Sequence, residues 1–149
     1  MAKRFDLHPK FRLNGVPFDV SSLLKHADVL CHSSDSTHKD LGMFLSEWLS
    51  ESKTIVLQTS GSTGDPKRIT ADKSKLIVSA EATIQFLNLQ PQQSALLCLP
   101  IQYVGGKMML IRAMVAGLSI DVISPTAIPF SEGKHYDFSA VTPYQLLHS

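Results

Sequence analysis

The sequence predicts an α/β fold in which a layered, largely parallel sheet carries helices on both faces. Short apolar runs at residues 54–58, 94–99 and 119–123 have the length and composition of buried strands. Stretches with helical periodicity lie between them. Strands that alternate with helices of this length are typical of βαβ crossovers, which bring parallel strands into one sheet.

Length and composition indicate a single globular domain over residues 1–149. Apolar residues make up 44% of the chain and charged residues 18%, which is a balance that supports a sizeable core. The net charge is +1 and the Lys and Arg residues are spread along the chain, so no basic stripe for nucleic acid is expected. Cys31 and Cys98 lie far apart and are interpreted as reduced thiols. No secretory leader or membrane-length apolar run is present, and we expect a cytoplasmic protein.

The amino-terminal part should contain a hairpin and a short helix. Residues 10–18 alternate around Asn14-Gly15, and both turn positions of that pair tolerate positive φ. Residues 19–30 predict a helix. Three residues of this helix fall on one apolar face and two serines are possible caps: Val20, Leu23 and Leu24, and Ser21 and Ser22.

A polar loop and a second helix should follow. Residues 31–38 are rich in turn-forming residues, and His32 and His38 lack a matching ligand pair, so an exposed loop is favoured over a metal site. Apolar residues recur at helical spacing over residues 40–51, which predicts a helix with Trp48 in the core.

The middle of the chain predicts a strand, a loop and a long helix. Residues 54–58 form the strand, 59–67 the loop and 68–70 a short strand-like segment. The next helix should begin at Asp72 as its N-cap and run to about residue 89, ahead of Pro91. Its expected buried face consists of Leu76, Ile77, Ala80, Ile84 and Leu87.

The last part should complete the parallel sheet. The continuous apolar run at 94–99 favours a strand buried on both faces, and 105–117 favours a helix that is buried on most sides and ends at Gly117. Strands are expected at 119–123 and 138–142, joined by a turn-rich connection over 125–134. Pro143 suits the first turn of a helix, and the chain ends soon after it.

The loop at 59–67 carries the strongest functional signal. Glycines allow backbone N–H groups to approach phosphate oxygens, hydroxyl groups add donors, and a lysine adds positive charge. The residues expected to hold phosphate are Thr59, Ser60, Gly61, Ser62, Thr63, Gly64 and Lys67. An ordinary P-loop needs glycine before its lysine and Ser or Thr after it. This chain has Pro66 and Arg68 there, which makes that alternative weak.

Written Thr-Ser-Gly-Ser-Thr-Gly-x-Pro-Lys, the loop resembles the signature of the adenylate-forming acyl- and aryl-CoA synthetases, luciferases and peptide-synthetase adenylation domains. A second segment, Leu-Pro-Ile-Gln-Tyr-Val-Gly-Gly at 99–106, resembles the part of these enzymes that borders the acyl pocket. The resemblance implies that Gln102, Tyr103 and Gly105 line that pocket and that Gly106 allows close packing. Tyr103 stands where histidine is more common, and a packed surface tyrosine is the alternative.

The run at 98–114 resembles the o-succinylbenzoate:CoA ligases of menaquinone biosynthesis. This resemblance implies ATP and coenzyme A as co-substrates, Mg²⁺ as the metal and a small carboxylic acid as the substrate. The carboxylate would attack the α-phosphorus of ATP, and the CoA thiol would then take the acyl group. Because the substrate supplies the nucleophile, no side chain is assigned as a catalytic nucleophile, and no metal ligand is assigned.

Later motifs of these enzymes find no match in this sequence. They include the motif that serves adenine and magnesium, the ribose-binding aspartate and the mobile domain with its catalytic lysine. We therefore expect an amino-terminal portion of the AMP-binding domain that depends on the remainder of its own chain and is inactive alone. The alternatives are a P-loop-like nucleotide-binding module and a non-catalytic interaction domain with the same fold.

Overall fold

The computed structural model describes residues 5–59 and 64–148. Seven strands and five helices occur in this part of the chain. In order they are β1 (Arg12–Leu13), β2 (Val16–Pro17), α1 (Val20–Cys31), α2 (Ser36–Trp48), β3 (Thr54–Gln58), β4 (Arg68–Asp72), α3 (Lys73–Phe86), β5 (Ser94–Leu97), α4 (Val104–Ala116), β6 (Ser119–Val122), β7 (Phe138–Ala140) and α5 (Pro143–Leu147).

Five strands form one mostly parallel sheet in the order β2-β1-β6-β5-β7. The pairs β1–β6, β6–β5 and β5–β7 are parallel, and β1–β2 is antiparallel. The β1–β2 turn places Asn14 and Gly15 at φ 50° and 80°, as the predicted hairpin requires. The predicted α/β fold, with a mostly parallel sheet flanked by helices, is therefore confirmed.

The strand at 54–58 differs from the expectation. β3 pairs with β4 in a separate, two-stranded antiparallel sheet, with Val56 opposite Thr70. Ile55 and Leu57 are buried, whereas Val56 is 42% exposed. The alternation shows that β3 buries one face only, because its partner is a hairpin strand and not a member of the parallel sheet.

Local capping explains the differences at the first two helices. Asp19 caps α1, since its carboxylate accepts the Ser22 N–H at 2.7 Å, so the prediction of Ser21 or Ser22 as the cap was wrong. Asp35 accepts the His38 N–H at 2.9 Å and starts α2 at Ser36. The segment 36–38, expected as loop, is therefore helical.

α3 is shorter and more exposed than expected. It ends at Phe86, and Asn88 follows with φ 51°, a conformation that asparagine tolerates better than most residues. Leu87, expected on the buried face, is 45% exposed. Lys73 is buried instead, and its ammonium donates to the carbonyls of Glu47 and Ser50 at 2.8 and 3.1 Å.

The core joins the parallel sheet to the helices. α4 buries most of its circumference, as predicted, and ends at Gly117 with φ 77°. Trp48 is 1% exposed and meets the Phe5 ring edge-on at a centroid distance of 5.4 Å. Trp48 is therefore a core residue, as predicted.

Candidate functional site

The loop at 59–67 connects β3 to β4 and is closed at its base. Thr59 N–H donates to the Lys67 carbonyl at 2.9 Å, and Lys67 N–H donates to the Thr59 hydroxyl at 3.2 Å. Two hydrogen bonds between the same residues fix the points where the loop leaves one strand and enters the next. The loop thus projects from the end of a hairpin.

The described part of the loop leaves space for a ligand. A side chain built at Gly64 would meet no atom within 4 Å, and both Gly64 and Lys67 are exposed. Four of the predicted phosphate-binding residues lie outside the described residues: Ser60, Gly61, Ser62 and Thr63. Their expected contacts with phosphate remain predictions.

Beside the base of this loop lies a concavity of about 280 Å³. It is bordered by α2, by the ends of β3 and β4, and by the segment that follows β5. Gln58 immediately precedes the loop and Arg68 immediately follows it, and both line the concavity together with Gln102. The structure therefore brings Gln102 to a shared cleft with the two residues that flank the loop, although β3 is not part of the parallel sheet.

A second concavity, of about 270 Å³, continues along the same edge. Ser36 and Thr37 of α2 line it on one side, and Pro125 lines it beyond the carboxyl end of β6. Asp40, Ile101 and Gln102 line both concavities. This position matches the rule that ligands of open α/β sheets bind outside the carboxyl ends of the strands.

The three predicted acyl-pocket residues do not lie at one place in the structure. Gln102 is exposed in the cleft. Tyr103 is half-buried at the N-cap position of α4, and Gly105 is exposed in its first turn; neither lines the two concavities of the described structure. Gly106 packs as expected, because an added Cβ would collide with the Pro100 carbonyl oxygen and lie 2.9 Å from the Ile101 Cα.

Four charged residues in the first concavity were missed by the sequence reasoning. Asp40 and Glu47 come from α2, Arg68 from β4 and Lys107 from α4. The spacing of seven between the two acids was the available signal, since residues seven apart share one face of a helix. Their position opposite β3 could not be read from that spacing.

Lys107 is held where opposing effects act on its charge. Burial lowers its pKa, the carboxylates of Glu47 and Asp40 raise it, and Arg68 lowers it. Its ammonium donates to the Gln102 carbonyl at 3.3 Å. Lys107 therefore links the segment after β5 to the charged side of the cleft.

Arg112, further along α4, forms no ion pair with the described residues. Its Nε is buried and has no hydrogen-bond partner among the residues that the structure describes, and burial lowers its pKa. A guanidinium in this situation favours an anion brought by a ligand or by another segment.

The described residues also bear on metal binding and on membrane insertion. Within 5–59 and 64–148, no group of three or more His, Cys, Asp or Glu side chains is placed to hold a metal ion. None of the helices in this part of the chain has the length and apolar character needed to cross a membrane.

Comparison with known proteins gives matches among solved structures. No family model matches the chain, and no curated protein does. An acyl-CoA synthetase (AMP-forming)/AMP-acid ligase II-like protein from Dyadobacter fermentans matches with a TM-score of 0.73 and 35% identity, over 82% of this chain and 35% of its own.

Two further solved structures are less similar. The o-succinylbenzoate CoA synthetase MenE from Bacillus subtilis, in complex with an acyl-adenylate, matches with a TM-score of 0.42 and 24% identity over 48% of this chain and 19% of its own. MatB from Rhodopseudomonas palustris, bound to ATP, has a TM-score of 0.42 and 20% identity over 55% of this chain and 18% of its own. Scores of this size support no inference about substrate. The chain therefore shares its α/β fold with an AMP-forming acyl-CoA synthetase-like protein and spans 35% of the length of that solved chain.

Proposed function

We propose that this chain is the phosphate- and acid-binding part of an ATP-dependent carboxylic acid:CoA ligase. The observation that carries the proposal is the placement of Gln102 in one cleft with Gln58 and Arg68, the residues that flank the glycine-rich loop. A reaction between a carboxylate and a nucleotide phosphate requires that the two be held side by side. The 35% identity to the Dyadobacter protein supports the same reading.

In the proposed reaction, a carboxylate oxygen of the acid attacks the α-phosphorus of ATP, and the bond from that phosphorus to pyrophosphate breaks. The CoA sulfur then attacks the acyl carbon, the thiol proton passes to solvent and AMP leaves. The loop would contribute amide and hydroxyl donors and the Lys67 charge, which stabilise negative charge on phosphate oxygens. Mg²⁺ would neutralise pyrophosphate. Because the described residues hold no metal-binding group, we assign no magnesium ligand to them.

We further propose o-succinylbenzoate as the acid. This substrate carries two carboxylates, so the one that is not activated needs a cation when it leaves water. Lys107 lines the cleft, and Arg112 has a buried Nε without a partner among the described residues. Both cations come from α4, within the run that resembles the o-succinylbenzoate ligases. We also propose Tyr103 and Gly105 as acyl-pocket residues and the cytoplasm, which supplies ATP and CoA, as the site of action.

The proposal leaves completion of the reaction to sequence outside this chain. The chain corresponds to 35% of the Dyadobacter protein, and we propose that residues 1–149 are part of a larger AMP-binding domain. Alone, they would bind Mg-ATP weakly and release no pyrophosphate.

Two measurements test this proposal. The first is equilibrium dialysis of Mg-ATP against the chain and its Lys67→Met variant, with the exposed Lys75→Met as the matched control. Binding lost only in Lys67→Met supports the loop assignment, and equal binding by all three contradicts it.

The second is pyrophosphate release by the full-length gene product with a panel of carboxylic acids. Release that depends on o-succinylbenzoate, and falls in Lys107→Met or Arg112→Met with that acid but not with a monocarboxylate, supports the substrate proposal. Release with another acid alone contradicts o-succinylbenzoate, and release with none contradicts the ligase.

A further inference from the structure

Glu47 contacts β3 and the start of α3 and also lines the cleft. Its Oε1 accepts the Val56 N–H of β3 at 3.1 Å, and its backbone carbonyl accepts the ammonium of Lys73, at the start of α3, at 2.8 Å. It lines the cleft together with Lys107 of α4. Glu47 therefore joins a strand through its carboxylate and a helix start through its backbone carbonyl.

The contact with Val56 bears on the loop because of its position in β3. The Val56 N–H points to the side of β3 that faces away from β4. Thr59, where the loop begins, is three residues further on. On the opposite strand, Lys67 closes the loop through its two hydrogen bonds with Thr59. The hydrogen bond from Val56 to the Glu47 carboxylate therefore restricts the angle between the hairpin and α2.

The charge of Glu47 reaches the other side of the cleft. Glu47 favours the protonated form of Lys107, and Lys107 donates to the Gln102 carbonyl in the segment after β5. Asp40 acts on Lys107 in the same direction and Arg68 in the opposite one, so all four charged groups that face the cleft are accounted for. One residue thus contacts the strand that leads into the loop and supports the cation that holds the other segment.

We propose that Glu47 is a positioning residue that sets the hairpin β3–β4 against the segment that carries Gln102. This inference rests on the proposed function in one respect: it predicts that nucleotide affinity depends on Glu47, a residue that contacts no phosphate. Its first consequence, the anchoring of β3, does not require a nucleotide.

Hydrogen exchange tests the anchoring. The variants are Glu47→Gln, which keeps an oxygen acceptor without the charge, Glu47→Ala, which keeps neither, and the matched control Glu81→Gln on the exposed side of α3. A charge-assisted hydrogen bond stabilises by about 1.5–3 kcal/mol, which predicts a rise of about tenfold or more in Val56 amide exchange in Glu47→Ala. Glu47→Gln should show a smaller rise and Glu81→Gln none.

Exchange at Leu96 in β5 serves as the reference for overall stability. A rise at Val56 that exceeds the change at Leu96 supports positioning by Glu47. An equal change at both amides, or no change at Val56, overturns it.

Mg-ATP dialysis on the same variants tests the link to the loop. We expect binding to weaken in the order Glu81→Gln, Glu47→Gln, Glu47→Ala, with partial rescue by glutamine as the sign of a positioning role. Equal affinity in all variants overturns the link. If the unsubstituted chain binds no nucleotide, the proposed function fails for this chain, while the exchange result still decides whether Glu47 anchors β3.

Discussion

Two adjacent glycines at the start of α4 provide a direct test of the packing beneath the cleft. At Gly106, an added Cβ would collide with the Pro100 carbonyl oxygen and lie 2.9 Å from both the Pro100 carbonyl carbon and the Ile101 Cα. At Gly105, the nearest atom would be the Leu99 Cδ1 at 3.4 Å. All the atoms met at Gly106 belong to the backbone, which cannot turn aside as a side-chain end can.

The two alanine variants should therefore differ in stability. Replacing a helical glycine by alanine stabilises by about 0.8–1 kcal/mol, and this gain is shared by both positions. Overpacking against rigid neighbours costs about 1–3 kcal/mol, and this cost applies to Gly106 alone. Gly105→Ala should thus be more stable than the unsubstituted chain, and Gly106→Ala should be less stable than Gly105→Ala by the overpacking cost.

Urea unfolding followed by Trp48 fluorescence measures the difference, because Trp48 is the only tryptophan and is buried. Equal unfolding free energies for Gly105→Ala and Gly106→Ala would refute the close approach of α4 to the 100–101 backbone. Since Gln102 follows that backbone directly, the same result would remove the reason for its fixed position in the cleft.

Other contacts lead to further predictions. Lys73→Met should lower the unfolding free energy by about 1–3 kcal/mol, because the carbonyls of Glu47 and Ser50 at the end of α2 each lose one donor. Urea unfolding checks this, with exposed Lys75→Met as the control. Burial lowers the Lys73 pKa, so the folded state binds fewer protons than the unfolded state. The Lys73 contribution should become more favourable as pH rises through the folded pKa toward the ordinary lysine value, and a difference from Lys73→Met that is constant over that range would contradict the assignment. Gln145→Glu should lower the melting temperature. The Gln145 amide donates to the carbonyls of Cys98 and Thr126 at 3.0 and 2.8 Å, and a carboxylate cannot donate these hydrogen bonds. An unchanged melting temperature would contradict a stabilising role for them.

Patterns that act over a few residues predicted the structure well. The Asn14-Gly15 turn, the buried strand β5 and the end of α4 at Gly117 all follow from local conformational preference or from periodicity. The first helix starts were harder to place, because aspartate and serine compete as caps and the winner depends on which side chain reaches an N–H. Asp19 and Asp35 both accept such hydrogen bonds.

Features that depend on contacts between residues far apart in the sequence could not be predicted in this way. β3 has the apolar composition of a sheet-interior strand, yet its hydrogen-bonding partner is β4, and which face of β3 is buried depends on packing against distant parts of the core. Lys73 reads as a solvent-exposed residue in a helical segment. It is buried because its ammonium donates to the carbonyls of Glu47 and Ser50 at the end of α2.

The position of the candidate site depends partly on local patterns and partly on contacts between distant residues. The strand-end rule correctly places the segment after β5 at the edge of the parallel sheet, but it does not apply to β3 and β4, which form an antiparallel hairpin and border the same cleft through Gln58 and Arg68. A hairpin that is separate from the main sheet needs its own anchor, and the described contacts supply one through Glu47 and Val56. A motif therefore singled out residues 59–67, whereas the proposed anchor of the hairpin that carries them is a carboxylate in α2 that no motif contains.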